Sequence, residues 1–150
     1  MASEIITNFW LGNIIDSRNT EFLNNIDVVF NCTKNLPFNN EKNKQIRIKV
    51  DDNLEKEEIV NMYKYLNNTT DYINGLLTKG KSIFVHCYAG KQRSATVVCA
   101  YLMKYLSLSY NDATELIRSK RLIIFTPLPN FDAALKLFDI NLKKQINKNL

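Results

Sequence analysis

The chain has 150 residues, of which 45% are hydrophobic and 23% are charged, and its formal net charge is +5. This length and apolar content predict one packed domain and exclude a disordered chain. No apolar run approaches the roughly 18 residues that a membrane-spanning helix needs. Three cysteines without a secretory signal argue against a disulfide framework. They predict a reducing compartment, the cytoplasm, with the nucleus as the alternative.

In chain order, short β-rich runs alternate with segments of helical periodicity. The β-rich runs predict strands over residues 5–11, 28–32, 46–50 and 83–86. The first strand is expected to end at Gly12-Asn13, and the second, apolar without alternation, is expected in the interior of a sheet. Helical spacing predicts helices over residues 20–25, 55–77, 94–106, 111–120 and 130–138, with Thr20 and Ser109 as N-caps.

Alternation of strands and helices predicts a single α/β domain over residues 1–150. Its central sheet is expected to be mainly parallel and flanked by helices on both faces. Such sheets bind ligands beyond the carboxyl ends of their strands. Asp51-Asp52 and Cys87 both follow predicted strands, so we expect the functional site at this edge.

Residues 86–94 carry the strongest functional signal. His86 precedes Cys87, five residues separate Cys87 from Arg93, and Ser94 follows. A loop between a strand and a helix N-terminus directs several N–H groups and the helix dipole at one point, which is an anion site. That environment stabilises the thiolate of Cys87, and the planar guanidinium of Arg93 can bind two oxygens of a phosphate. The pattern predicts phosphoryl transfer to sulfur.

Cys-x5-Arg-Ser preceded by His resembles the signature of the protein tyrosine phosphatase superfamily. Residues 100–103, Ala-Tyr-Leu-Met, make the chain similar to the small dual-specificity phosphatases in particular. The resemblance covers most of the chain. It implies a protein tyrosine phosphatase-like fold that hydrolyses phosphotyrosine and phosphoserine or phosphothreonine in proteins through a cysteinyl-phosphate. It also implies that no metal or organic cofactor takes part.

The resemblance assigns roles to the residues of the loop. Cys87 is the nucleophile, and Arg93 is catalytic and also binds phosphate. Ser94 caps the helix and stabilises the departing thiolate. His86 supports the loop by hydrogen bonding, and it is poorly placed as a base because neighbouring strand residues point to opposite faces. The residues expected to surround the phosphate are Tyr88, Ala89, Gly90, Lys91, Gln92 and Arg93.

A proton donor for the leaving oxygen has to come from another segment, and Asp51 and Asp52 are the candidates. Strand alternation allows at most one of them to face Cys87 and leaves the choice open. The family places the acid four residues past an isoleucine, and counting from Ile48 gives Asp52. The remaining cysteines, Cys32 and Cys99, are expected to be core residues. A zinc site is not expected, because the only histidine adjoins Cys87 and no Cys-x2-Cys pair exists.

The loop departs from the family pattern at Lys91 and Gln92. A lysine here resembles phosphatases that take highly charged substrates, so a phosphoinositide or an RNA 5′-triphosphate is an alternative to a phosphorylated protein. The net positive charge is compatible with each of these acidic partners. A third alternative is an inactive phosphoprotein-binding module, against which the intact Cys87, Arg93 and Asp52 argue. The sequence leaves the oligomeric state open.

Overall fold

A computed structural model describes residues 1–149 and contains one five-stranded sheet in the order β1-β2-β5-β3-β4. The strands are β1 Ser3–Ile6, β2 Phe9–Gly12, β3 Val28–Asn31, β4 Lys44–Arg47 and β5 Ile83–His86. β1 pairs antiparallel with β2, and all other neighbours are parallel. The sheet is therefore mixed but mainly parallel, with β5 in its middle.

The helices are α1 Thr20–Leu23, α2 Lys56–Thr78, α3 Arg93–Tyr105, α4 Tyr110–Lys120 and α5 Asp132–Lys148, and a 3-10 turn covers Asp16–Arg18. α3 is buried over most of its length and packs against α2, α4 and α5. Its residues from Ser94 to Met103 are all buried, which explains their nearly continuous apolar sequence. α3 is thus the central helix, and it starts where the loop that follows β5 ends.

The two faces of the sheet bury different clusters because side chains alternate along each strand. Ile83 and Val85 of β5 join the large core under α2–α5. Phe84 points to the opposite face, where it packs with Leu23 and Val29 in a smaller cluster. The fold class inferred from the sequence is confirmed. The covering of the second face is thin, since it consists of the short α1, the 3-10 turn and loop residues such as Phe38.

Several predicted boundaries are wrong. Residues 5–11 are not one strand, because Asn8 has a φ of 67° and turns the chain into a β1–β2 hairpin. Asn, like Gly, adopts this left-handed conformation at low cost. The N-cap of α1 is Asn19 rather than Thr20: its side chain accepts the N–H of Phe22.

Other differences lie at strand and helix ends. β4 occupies Lys44–Arg47 instead of residues 46–50, because pairing with β3 ends at Arg47 although the apolar alternation continues. α5 continues to Lys148, well past residue 138. Ser109 is the N-cap of α4 as predicted and accepts the N–H of Asp112. None of the helices among residues 1–149 combines the length and apolar character that crossing a membrane requires.

Candidate active site

Cys87 directly follows β5, the central strand, and precedes the N-terminus of α3. β5 is hydrogen-bonded on both sides, to β2 and β3, and all four of its residues are buried. Residues 87–92 connect it to α3, which begins at Arg93. Within residues 1–149, the N–H groups of residues 88–92 donate to no other group of the protein. Together with the dipole of α3, they can bind an anion.

The sulfur of Cys87 lies at the base of this loop. Cys87 is 2% exposed, and its Sγ is 3.1 Å from Oγ of the fully buried Ser94. The predicted capping role of Ser94 is wrong, because the N-cap of α3 is Gln92 and Ser94 is the second residue of the helix. The predicted proximity of the Ser94 hydroxyl to the Cys87 sulfur is observed. A hydroxyl at this distance can donate a hydrogen bond to a thiolate.

The other two cysteines belong to the core, as predicted. Cys32 and Cys99 are both fully buried in the large core cluster. Burial raises the pKa of the Cys32 thiol well above its ordinary value and that of Cys99 to about 12. Both side chains therefore stay protonated at neutral pH and are inert as nucleophiles.

Arg93 closes the loop and retains an unpaired donor. Its Nη1 donates to the Val50 carbonyl at 3.0 Å, which fixes the plane of the guanidinium. Its Nε is buried, and among residues 1–149 it has no acceptor. Buried donors are nearly always paired in folded proteins. An unpaired Nε at the end of the loop that starts at Cys87 therefore indicates a position for an anionic oxygen.

Gly90 gives the loop its curvature. Its φ is +66°, which glycine adopts without strain, and a Cβ there would lie 2.7 Å from both the Gly12 carbonyl oxygen and Nη2 of Arg121. Arg121 Nε donates to the Gly90 carbonyl at 2.9 Å, and its Nη1 donates to the Met1 carbonyl at 2.7 Å. The buried Arg121 thus fixes the loop from outside. Arg121 could not be predicted as a loop contact, because it is 31 residues from Gly90 and no local pattern indicates the contact.

The remaining loop residues are held mainly through their backbones. The Tyr88 carbonyl accepts the N–H of Ile14 at 3.0 Å, and the Lys91 carbonyl accepts the N–H of Phe125 at 2.9 Å. The side chains of Tyr88 and Ala89 are exposed, and Lys91 is half-buried. Tyr88, 61% exposed, stands at the rim of the site, where it can contact a substrate.

The side chain of Gln92 faces away from the phosphate position. Its Nε2 donates to the carbonyls of Thr126 and Leu128 at 3.3 and 2.9 Å, and its Oε1 accepts the N–H of Asn130 at 2.9 Å. All the polar atoms of this side chain therefore hold residues 126–130. Only the main-chain N–H of Gln92 remains for the predicted phosphate contact.

His86 lies on the sheet face opposite to Ile83 and Val85 and stacks on Phe84, with ring centroids 5.4 Å apart. Its Nδ1 is 3.3 Å from the Cys87 carbonyl oxygen, so the neutral ring can donate to that carbonyl. Burial is the main cause that lowers the pKa of His86 to about 4. The ring is therefore neutral at physiological pH and contacts the backbone of Cys87, in the position expected of a residue that supports the loop.

The two aspartates have different surroundings. Asp51 Oδ2 is 3.3 Å from Lys34 Nζ, and the N–H of Asp51 donates to Glu58 Oε1 at 3.3 Å. Asp52 is exposed, and its Oδ1 accepts Nδ2 of Asn130 at 2.9 Å. Both follow Val50, whose carbonyl binds Arg93. The structure thus brings this segment to the mouth of the loop.

A shallow cavity of about 210 Å³ adjoins the loop. It lies between residues 33–36, Asp51, Tyr88 and Arg93, so Asp51 lines it and Asp52 does not. A separate cleft of about 350 Å³ between α2 and α5 is lined by lysines, amides and aromatic side chains. The smaller cavity is the one of these two that residues of the loop line.

The site consists of a central parallel strand, a buried cysteine directly after it, and a loop that ends at an arginine and a serine. This arrangement is typical of the class of cysteine-dependent phosphatases. Comparison with known proteins gives the family. The sequence model described as "Dual specificity phosphatase, catalytic domain" matches residues 10–141. The chain therefore belongs to the family of dual specificity phosphatase catalytic domains, and the family inferred from the sequence is confirmed.

Individual relatives support the family assignment. The chain is 35% identical over 141 residues to human Dual specificity protein phosphatase 9, covering 91% of this chain and 35% of that protein. It is also 35% identical over 125 residues to Putative tyrosine phosphatase 123R of Invertebrate iridescent virus 6, covering 82% of each. The chain thus spans about a third of the human relative and most of the viral one.

Solved structures have the same fold. A mouse putative dual specificity phosphatase superimposes with a TM-score of 0.86 at 24% identity, covering 97% of this chain and 90% of that one. DUSP15 superimposes with a TM-score of 0.82 at 26% identity, covering 99% and 96%.

Proposed function

We propose that residues 1–150 form a phosphatase domain that hydrolyses phosphotyrosine and phosphoserine or phosphothreonine in proteins. One observation carries the proposal: the buried Cys87 begins the loop that ends at Arg93, whose buried Nε has no acceptor within residues 1–149. Family membership supports the same chemistry. The Ser94 hydroxyl is 3.1 Å from the sulfur, where it can donate a hydrogen bond to the thiolate.

In the first step, the Cys87 thiolate attacks the phosphorus of the substrate. A sulfur–phosphorus bond forms, and the bond from phosphorus to the side-chain oxygen of the substrate breaks. That oxygen takes a proton from Asp52. The three other phosphate oxygens are bound by the N–H groups of residues 88–92 and by Arg93, which offset the charge of the transition state. Because both bond changes occur at phosphorus, nothing is oxidised or reduced.

In the second step, water attacks the cysteinyl-phosphate. Asp52, now ionised, takes a proton from the water, and the sulfur–phosphorus bond breaks to release inorganic phosphate. The Cys87 thiolate leaves while accepting a hydrogen bond from Ser94. This hydrogen bond makes the sulfur a better leaving group, since it stabilises the charge that returns to it.

Cys87→Ser tests the nucleophile. An alcohol at this position stays protonated, so turnover should fall by more than about 1000-fold, while the fold and the binding of a phosphate analogue such as vanadate persist. Cys99→Ser is a matched control, because this buried thiol lies outside the loop. Turnover of the Cys87 variant above about a thousandth of wild type would mean that another group attacks.

The choice of Asp52 over Asp51 as the acid needs its own test, because Asp51 lines the cavity beside Arg93. Asp51 is paired with Lys34, whereas Asp52 contacts only an amide among the described residues. Asp52→Asn should lower kcat on a phosphoserine peptide by about 10²–10⁴-fold and affect p-nitrophenyl phosphate much less. Asp51→Asn should have little effect. The reverse pattern would assign the proton to Asp51.

The substrate and the location are proposed on chemical grounds. Phosphorylated proteins fit a shallow site whose rim carries an exposed tyrosine. A reducing cytoplasm would preserve the thiol of Cys87. A panel of phosphopeptides, phosphoinositides and RNA 5′-triphosphates tests the substrate directly. Turnover of phosphoinositides or RNA far above that of phosphopeptides would refute the assignment to proteins.

A further inference from the structure

Two hydrogen bonds, one from the main chain and one from the side chain of Asn130, join the phosphate-binding loop to the proposed acid. This path starts at Gln92, the residue before α3, passes through Asn130 and ends on the carboxylate of Asp52. The acid is thereby connected to a residue 78 positions away in the sequence, on the segment before α5. No step of the proposed mechanism uses Gln92 or Asn130 as a reacting group.

The first half of the path is rigid because it is buried. Gln92 is 6% exposed, and its amide makes three hydrogen bonds, to the carbonyls of Thr126 and Leu128 and from the N–H of Asn130. An amide with all its polar atoms engaged has one orientation available. The backbone of Asn130 therefore has a fixed position relative to the loop that carries Cys87.

The second half of the path fixes one oxygen of the acid. Asn130 Nδ2 donates to Asp52 Oδ1 at 2.9 Å, which leaves Oδ2 to carry the proton. Among residues 1–149, this is the only hydrogen bond that the Asp52 carboxylate makes. The neighbouring Asp51 is held separately, by Lys34 and Glu58. The orientation of the Asp52 side chain thus depends on Asn130.

We propose that Asn130 is a positioning residue for the general acid and that Gln92 couples its position to the phosphate-binding loop. This inference rests on the proposed function, in which Asp52 protonates the leaving group. An exposed carboxylate has several rotamers, and proton transfer requires the one that faces the leaving oxygen. The amide of Asn130 selects that rotamer. Gln92 is at a position where the sequence departs from the family pattern. Its side chain helps to position the acid and does not bind the phosphate.

The test compares leaving groups. Asn130→Ala should lower kcat on a phosphotyrosine peptide by about 10-fold and kcat on p-nitrophenyl phosphate by less than about 2-fold, with KM unchanged on both. p-Nitrophenolate departs without a proton, so it does not report on the acid. In an Asp52→Asn background, adding Asn130→Ala should have no further effect, because the group that it positions is gone.

Two further variants separate positioning from folding. Asn130→Asp keeps the shape and the N–H that binds Gln92 but replaces the donor with a carboxylate, and it should reproduce the loss. Asn141→Ala removes an amide of α5 that contacts Tyr63 of α2 and no residue of the path, and it should leave kcat unchanged on both substrates.

Equal losses on both substrates, or a further loss in the Asp52→Asn background, would overturn the positioning role. A selective loss in Asp52→Asn that is absent from both Asn130 variants would also overturn it and would leave the proposed function intact. If Asp52→Asn itself showed no selective loss, the assignment of the acid would fail and the positioning role with it.

Discussion

The buried His86 makes the stability of this domain depend on pH in a calculable way. The ring is 1% exposed and stacks on Phe84, and burial lowers its pKa from 6.5 to about 4. The unfolded chain therefore binds a proton near pH 6.5, whereas the folded chain does so only near pH 4. Stability is highest above pH 6.5, falls as the pH drops, and has lost the full contribution below pH 4.

The magnitude follows from the two pKa values. Each pKa unit of difference corresponds to about 1.4 kcal/mol, and integrating from pH 7 to pH 5 gives a loss of about 2 kcal/mol in the free energy of unfolding. His86 is the only histidine in the chain. The pKa values of three carboxylates, Asp27, Glu58 and Asp71, are lowered from ordinary values of 3.8 to 4.5, so these groups lose their contributions mainly below this window.

The assay is urea unfolding of wild type and His86→Gln at pH 7 and pH 5, followed by the fluorescence of Trp10, the only tryptophan. The variant keeps an amide that can donate to the Cys87 carbonyl but cannot titrate. Wild type should lose about 2 kcal/mol more than the variant between the two pH values. Equal losses would refute the reasoning, because they would mean that His86 titrates alike in the folded and unfolded chains.

Three further predictions concern the loop. Arg93→Lys should lower kcat nearly as much as Cys87→Ser, because an ammonium cannot hold two oxygens in one plane; retention of most of kcat would contradict bidentate binding. Lys91→Ala should weaken catalysis on phosphoinositides by about 1–3 kcal/mol and on phosphotyrosine peptides much less, if Lys91 binds additional charge; equal losses would limit it to a structural role. Gly90→Ala should lower kcat by at least about 10-fold, since the added Cβ would lie 2.7 Å from the Gly12 carbonyl oxygen; near-normal kinetics would show that the loop can relax.

The loop could be predicted because the residues that define it are adjacent in the sequence. Strand β5 was predicted with its observed bounds, and the spacing of Cys87, Arg93 and Ser94 predicted a loop between β5 and α3, which is observed. Ser109 was recognised as an N-cap for the same reason, since the cap, the turn and the first helical residues are adjacent in the sequence.

Contacts between distant segments could not be predicted. Arg121 binds Gly90 across 31 positions, and Asn130 binds Asp52 across 78. In the sequence, each is one polar residue among many near a helix end. The orientation of Gln92 was equally hidden, because whether a buried amide faces the phosphate or the neighbouring segment depends on tertiary packing.

Backbone features of single residues account for the wrong strand boundaries. Asn8 interrupts an otherwise continuous β-rich run, and only its positive φ distinguishes a hairpin from one strand. Ile48 and Val50 continue the alternation of β4 and are both buried, but within residues 1–149 the pairing with β3 ends at Arg47. An apolar pattern indicates which side chains are buried, and side chains beyond the end of β4 are still buried.

Cys87, the proposed nucleophile, and Asp52, the proposed acid, follow strands with different connectivity in the sheet. β5 has a neighbour on each side, whereas β4 is an edge strand of four residues that pairs only with β3. Edge strands open at lower free energy than central ones, so fraying should reach the segment of Asp52 before it reaches Cys87. In mild urea, the domain should pass through a range in which it still hydrolyses p-nitrophenyl phosphate but has slowed on phosphoserine. The domain would thus lose activity on substrates with poor leaving groups before it unfolds.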